Sequence, residues 1–217
     1  MSEALDDVFG WELLQLGTWG SSEKLLAGCR TRRHAVISNR RAGPADADIA
    51  ARLSQLPISN ASVDAVVLPH TLEFETDPYA VVREADRVLA GEGQLIVLGF
   101  RPFSLWGFRS RAISRGYPPG LKRMLGARRI ADWLELLGYD VSLTRNYLFA
   151  PPWGGTAPRL GEPSTLLRRG WFKPWPAGAY LIKARKRVYT LTPIRPKLQR
   201  AQPIGGLVKP TTPRQSS

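Results

Sequence analysis

Apolar residues fall in short blocks along this chain, and the blocks alternate between two periods. Val63 to Leu68 (VDAVVL) is nearly continuous and β-branched, the pattern of a strand buried on both faces of a parallel sheet. Asp77-Pro78 then starts a helix, with Asp as N-cap and Pro at the first helical position. Val81, Val82, Ala85, Val88 and Leu89 fall on one face of that helix, and Gly91 is expected to stop it in a left-handed position. Gln94 to Leu98 (QLIVL) is the next buried strand. Strand, helix and strand in so short a span form a βαβ unit.

The flanking segments extend this alternation. Trp11 to Leu16 (WELLQL) predicts a buried strand, and Gly17 to Gly20 a turn. Ser21 or Ser22 would cap a short helix over Glu23 to Cys29, His34 to Ser38 predicts a second strand, and Asp46 to Leu53 a helix. Beyond the βαβ unit, Ser104 to Arg115 is expected to be helical and basic. Ala127 to Leu137 is helical because Ile130, Trp133, Leu134 and Leu137 repeat at i, i+3, i+4 and i+7, with Gly138 ending it. Tyr139 to Phe149 and Ala179 to Ala184 are strands, separated by a long Trp/Pro-rich loop over 150–177. The fold class is therefore α/β, a mostly parallel, doubly wound sheet. The expected organisation is one domain over 1–186 and a disordered basic tail over 187–217.

Composition changes this picture in one respect. The 217 residues carry a formal net charge of +13. Residues 1–100 have a net charge of −5 and residues 101–217 a net charge of +18. The basic charge thus belongs to the C-terminal half and suggests an anionic partner. No apolar run is long enough for a transmembrane helix, and the N-terminus lacks the pattern of a signal peptide. The single cysteine, Cys29, suits a reducing cytoplasm and reads as a small buried residue. With two histidines and one cysteine, no metal site is expected.

In a doubly wound sheet, ligands bind outside the carboxyl ends of the strands, near the switch point. The segments there are Gly17–Gly20, Ser38–Arg40, Leu56–Pro57, Leu68–Thr71 and Gly99–Phe103. Among them His70 is the best placed general base, with Glu73 and Glu75 nearby on a loop read as solvated. His34 reads as structural. Arginines follow the strand that ends at Gly99, interleaved with Phe100, Phe103, Trp106 and Phe108, a combination that can stack bases or grip anions.

Leu56-Pro57, Ser62-Val63-Asp64, His70-Thr71-Leu72, Asp77-Pro78, Arg87-Val88-Leu89 and Gly91-Glu92-Gly93 resemble the second half of class I S-adenosylmethionine-dependent methyltransferases, with their Rossmann-like fold. LPHTLEF, TDPYAVVREADRVL and GFRPFSLWGFR are similar to a small bacterial family of methyltransferase-like proteins with a basic C-terminal tail. The resemblance covers about residues 10 to 200 and is most specific from 56 to 109.

This resemblance implies S-adenosyl-L-methionine as cofactor and an enzyme that transfers its methyl group. It places the cofactor against Gln15, Gly17, Gly20, Ser38, Asn39, Gln55, Leu56 and Leu68, the acceptor against Arg101 and Trp106, and His70 as the base. The family's three acidic contacts fall on Gln15, on Ser38-Asn39 and on Gln55 or Ser54, all neutral. Losing a charge-assisted hydrogen bond weakens binding by about 1–3 kcal/mol. The implied acceptor is a small molecule or macromolecule of anionic character, and the basic tail is a candidate nucleic-acid contact. The alternative is a methyltransferase fold that has lost catalysis and serves as a nucleic-acid or protein binding module.

Overall fold

The computed structural model describes residues 9–18, 30–39, 47–112, 118–148 and 177–188. Their strands are β1 (Phe9–Leu16), β2 (Arg30–Ser38), β3 (Ile49–Ala50), β4 (Val63–Pro69), β5 (Leu89–Phe100), β6 (Tyr139–Tyr147) and β7 (Ala179–Lys186). They form one seven-stranded sheet in the order β3-β2-β1-β4-β5-β7-β6. The first five are parallel, and β7 runs antiparallel to both β5 and β6. The order reverses at β1, with β2 on one side and β4 on the other, which is the topological switch point of the sheet.

The apolar runs account for the centre of the sheet. Leu14 and Leu16 of β1, Val66 and Leu68 of β4, and Leu95 and Val97 of β5 share one core. The alternate residues Leu13, Ala65, Val67 and Ile96 are buried as well. Both faces of the central strands are thus withdrawn from water, as their near-continuous hydrophobic runs require.

Three helices lie among the described residues: α1 (Pro78–Val88), α2 (Leu105–Ala112) and α3 (Ala127–Leu136). Asp77 caps α1, its side chain accepting a hydrogen bond from the Ala80 amide at 3.1 Å. Asp77→Ala is expected to lower stability by about 1 kcal/mol, read from urea unfolding of the two proteins. Val81, Val82, Ala85 and Val88 form the buried face of α1, and Ile130 and Leu134 that of α3. Gly138, with φ of +85°, follows the end of α3 as its sequence position predicts.

Two expectations change. No helix occupies the described part of Asp46–Leu53; Ile49–Ala50 adds β3 to the free edge of β2. Asp48 directs this, donating its amide to the Val36 carbonyl at 2.9 Å and accepting the Val36 amide on its carboxylate at 2.8 Å. An unpaired strand edge outweighs the weak helix propensity of an Ala/Asp-rich segment. Nor does Gly91 end α1. The helix stops at Val88, Leu89 is already extended, and β5 begins there. The left-handed residue of that stretch is Glu92, with φ of 63°.

The expected helix over Glu23–Cys29 and most of the loop over 150–177 lie outside the described residues, as does the tail beyond Val188.

Candidate functional site

β1, β2 and β4 end together at the switch point and line a cleft that is open to solvent. Its walls are Gly17 and Thr18 after β1, Ser38 and Asn39 after β2, Leu53 after β3, and Pro69, His70, Thr71, Phe74 and Glu75 after β4. The walls are mainly backbone, small polar and apolar groups. Glu75 is the only carboxylate among the described lining residues.

Gly17 sets the floor of the cleft. Its φ of +92° is a conformation that only glycine adopts without strain. A Cβ at Gly17 would lie 2.5 Å from Thr71 Oγ1. Thr71 in turn donates to the Leu16 carbonyl, and the Gly17 amide donates to the Ile37 carbonyl at 2.7 Å. The β1 turn is thereby tied to both neighbouring strands.

The loop after β4 is equally constrained. His70 has a positive φ of 52°, uncommon for a side-chain-bearing residue and a form of backbone strain that concentrates at functional sites. Its amide bonds to the Leu98 carbonyl at 3.0 Å, and its ring stacks on Phe100 at a centroid separation of 4.0 Å. The Phe74 amide bonds to the Thr71 carbonyl at 3.1 Å. The Glu73 carbonyl accepts the amides of Lys122 and Arg123, at 3.0 and 3.2 Å.

A buried polar group lies behind this loop. His70 Nε2 is 2.6 Å from the Tyr147 hydroxyl at the end of β6. Glu73 Oε1 accepts the Phe100 amide at 2.6 Å and lies 4.0 Å from His70 Nδ1. Glu73 Oε2 has no hydrogen-bond partner among the described residues. Gly99 makes room for the group, since a Cβ there would fall 2.4 Å from the Tyr180 hydroxyl and 2.9 Å from Glu73 Oε1.

His70 and Glu73 are 2% and 1% exposed, and burial favours the neutral form of each. Desolvation pushes the His70 imidazole down to about 3 and the Glu73 carboxyl up to about 7, against a smaller downward pull from the Phe100 amide. Between about pH 3 and pH 7 the two therefore rest uncharged, and 4.0 Å is too long for a hydrogen bond between them. Burial and the neighbouring Glu73 raise the Tyr147 hydroxyl well above its ordinary value. Tyr147 thus keeps its proton, and the 2.6 Å contact with Nε2 is a hydrogen bond between a neutral hydroxyl and a neutral ring.

Of the residues expected at the site, Gly17, Ser38, Asn39 and His70 line the cleft. Gln15 is fully buried beside it, its side-chain amide donating to the Gly17 carbonyl at 2.9 Å. Leu68 lies in the core. Gln55 is exposed and its amide bonds to the Arg52 carbonyl. The Leu56 amide donates to Glu84 at 2.6 Å and its carbonyl accepts Arg87 Nη2 at 3.2 Å, a structural tie between this loop and α1. Gly20 lies outside the described residues. Arg101 is half-buried and its amide bonds to the Gly178 carbonyl at 2.9 Å. Trp106 is 6% exposed and packs against Phe100, so its ring supports the site from behind. Phe103 and Phe108 are the aromatics that α2 and its approach expose, at 81% and 71%, with the Arg111 guanidinium 5.8 Å from the Phe103 ring centre.

The cleft residues outside the segments expected from sequence are Leu53, Phe74 and Glu75, and Tyr147 lies behind the cleft. Glu73, read as solvated, is instead buried. Spacing signals none of these contacts, which depend on which strand ends become neighbours.

This strand order, with a cleft at the switch point and a glycine turn as its floor, defines a Rossmann-like methyltransferase fold. Residues 20–97 match the family model described as a methyltransferase domain. A methyltransferase from Archaeoglobus fulgidus, described as S-adenosylmethionine-dependent, superposes with a TM-score of 0.59 at 14% identity, covering 85% of this chain and 89% of that one. The [4+2]-cyclase SpnF superposes equally well, at 0.59 and 18% identity, over 87% of this chain and 78% of its own. The chain belongs to the class I methyltransferase superfamily. Within it, the chain falls in one family with the uncharacterized protein YafS of Escherichia coli (strain K12). The two are 33% identical over 186 residues, 85% of this chain and 72% of YafS.

Proposed function

We propose that the chain is a methyltransferase that holds S-adenosylmethionine in the cleft between β1, β2 and β4. The observation that carries this reading is the cleft itself, at the switch point where a doubly wound sheet binds nucleotide-type ligands. Gly17 leaves the backbone bare where a ligand would approach, since a side chain there would collide with Thr71. Ser38 and Asn39 supply polar groups at one end and Leu53 and Phe74 apolar surface. These residues fit an adenosyl group. The cofactor would supply a methyl group made electrophilic by a positively charged sulfur.

The chain's own contribution is positioning and proton handling. His70 sits where the cleft meets the buried polar group. In this reading the Tyr147 hydroxyl takes up the acceptor proton as it passes its own proton to His70 Nε2. A buried imidazole near 3 is a weak base, and above pH 7, where Glu73 is ionised, its carboxylate 4.0 Å from Nδ1 would stabilise the imidazolium as it forms. Arg101, Arg111 and the exposed Phe103 and Phe108 offer a basic, aromatic face for an anionic acceptor, with Trp106 behind them. Calorimetric titration with S-adenosylmethionine and S-adenosylhomocysteine is expected to show binding to the cleft. Absence of heat at millimolar ligand would overturn the reading.

A second reading is favoured by the neutral residues at Gln15, Ser38, Asn39 and Gln55 together with the net charge of +18 over residues 101–217. It makes the chain a catalytically inactive module that binds nucleic acid. Because β7 runs to Lys186, the truncation that tests it is placed after Val188. Salt-dependent retention on RNA or DNA that disappears with residues 189–217, together with no cofactor binding, is its expected result.

A further inference from the structure

The end of β2 is where a doubly wound nucleotide fold places the carboxylate that accepts hydrogen bonds from the ribose hydroxyls, about 20 residues beyond the glycine turn. This chain has Ser38 and Asn39 there. A vicinal diol offers two O–H donors, and a carboxylate is the side chain that can accept both at once. The structure brings one to the place by another route. Glu75, from the loop after β4, lies in the cleft wall beside Ser38 and Asn39, and one of its oxygens accepts the Asn39 side-chain amide at 2.5 Å.

Glu75 is held there from both sides. On one side Thr71 is tied to Leu16, and Glu73 to Phe100, Lys122 and Arg123. On the other, Lys122 Nζ donates to Thr76 Oγ1 at 2.6 Å and Asp77 caps α1. The carboxylate therefore comes to the cleft preorganised, which is the condition for a hydrogen bond to contribute to affinity.

We propose that Glu75, steadied by Asn39, accepts the hydrogen bonds of the ribose diol and so replaces the acid that β2 lacks. This rests on the adenosyl-cofactor reading above. Its loop origin gives the site a distinctive connectivity. The ribose contact and His70 are five residues apart on one segment, so occupancy of the ribose position bears directly on the loop that carries the candidate base.

The test is calorimetric titration of the full chain and of Glu75→Gln with S-adenosylhomocysteine and with its 2′-deoxy and 3′-deoxy analogues. Glu75→Gln is expected to weaken product binding by about 10- to 100-fold, because one acceptor becomes an amide donor. The deoxy analogues should bind the parent protein more weakly by a similar factor, and the variant should no longer distinguish them from the product. Equal affinity of variant and parent for the product overturns the proposal. So does equal affinity of the parent for product and deoxy analogues, a comparison that involves no substitution. A parent protein that binds none of these ligands overturns the cofactor reading itself, which separates the two failures.

Discussion

Glu73→Ala is expected to destabilise the protein by about 1–3 kcal/mol, the cost of leaving the buried Phe100 amide without its acceptor. Urea unfolding of parent and variant measures it. The more informative variant is Glu73→Gln, which can keep that acceptor and removes the titration. In the folded protein Glu73 is raised to about 7 from an ordinary 4.5. The folded state therefore binds the proton more tightly, and this contribution to stability is lost as pH rises from 4.5 through 7. His70 is lowered to about 3 from 6.5. Its contribution is present above 6.5 and is lost as pH falls toward 3. The two slopes oppose one another between pH 4.5 and 6.5 and give the parent protein a flat stability maximum there. Without the Glu73 titration only the histidine slope remains, so Glu73→Gln should gain stability between pH 5 and 8 relative to the parent. The relative gain is on the order of 2–3 kcal/mol. Parallel stability profiles for the two proteins, from thermal unfolding at pH 5 and pH 8, would show that Glu73 does not take up a proton on folding.

Gly17→Val is the second substitution with a large expected effect. Two costs combine: a β-branched residue at φ of +92°, and a Cβ 2.5 Å from Thr71 Oγ1 that displaces the hydrogen bond to Leu16. Together they amount to about 2–4 kcal/mol. The same side chain narrows the cleft, so S-adenosylhomocysteine binding should fall below detection while the far-ultraviolet dichroism of the folded variant is unchanged. Thr71→Ala removes the colliding oxygen, so the double variant should be less destabilised than the sum of the two single ones. Strict additivity would mean that the cost is backbone strain alone and that the contact with Thr71 plays no part.

The strands and helices that decide the fold were readable because each carries a strong local signal. Val63–Leu68 and Gln94–Leu98 are apolar on both faces, and Asp77-Pro78 followed by a one-faced apolar helix admits little else. The sequence failed where local and tertiary preferences compete. Asp48 sits in a segment that tolerates helix, yet the free edge of β2 captures it through Val36. Gly91 looks like a helix stop, yet α1 has already ended because Leu89 pairs into the sheet opposite Val63. At the site, Gly17, Ser38, Asn39 and His70 were legible because strand ends fix their place. Glu75 and Tyr147 were not, since their roles arise from contacts over 36 and 77 residues of chain. Glu73 misled because an acid in a loop ordinarily faces water, and only the Phe100 amide and the space left by Gly99 give it a buried seat.

The direct passage from α1 into β5 has a mechanical consequence. With Val88 in the helix and Leu89 in the strand, no connecting residue can absorb a displacement. The helix behaves as a strut fixed to the sheet at its far end and, through Asp77, to the loop that carries His70 and Glu75 at its near end. The wall bearing His70 and Glu75 is thus braced against the sheet along the whole length of α1.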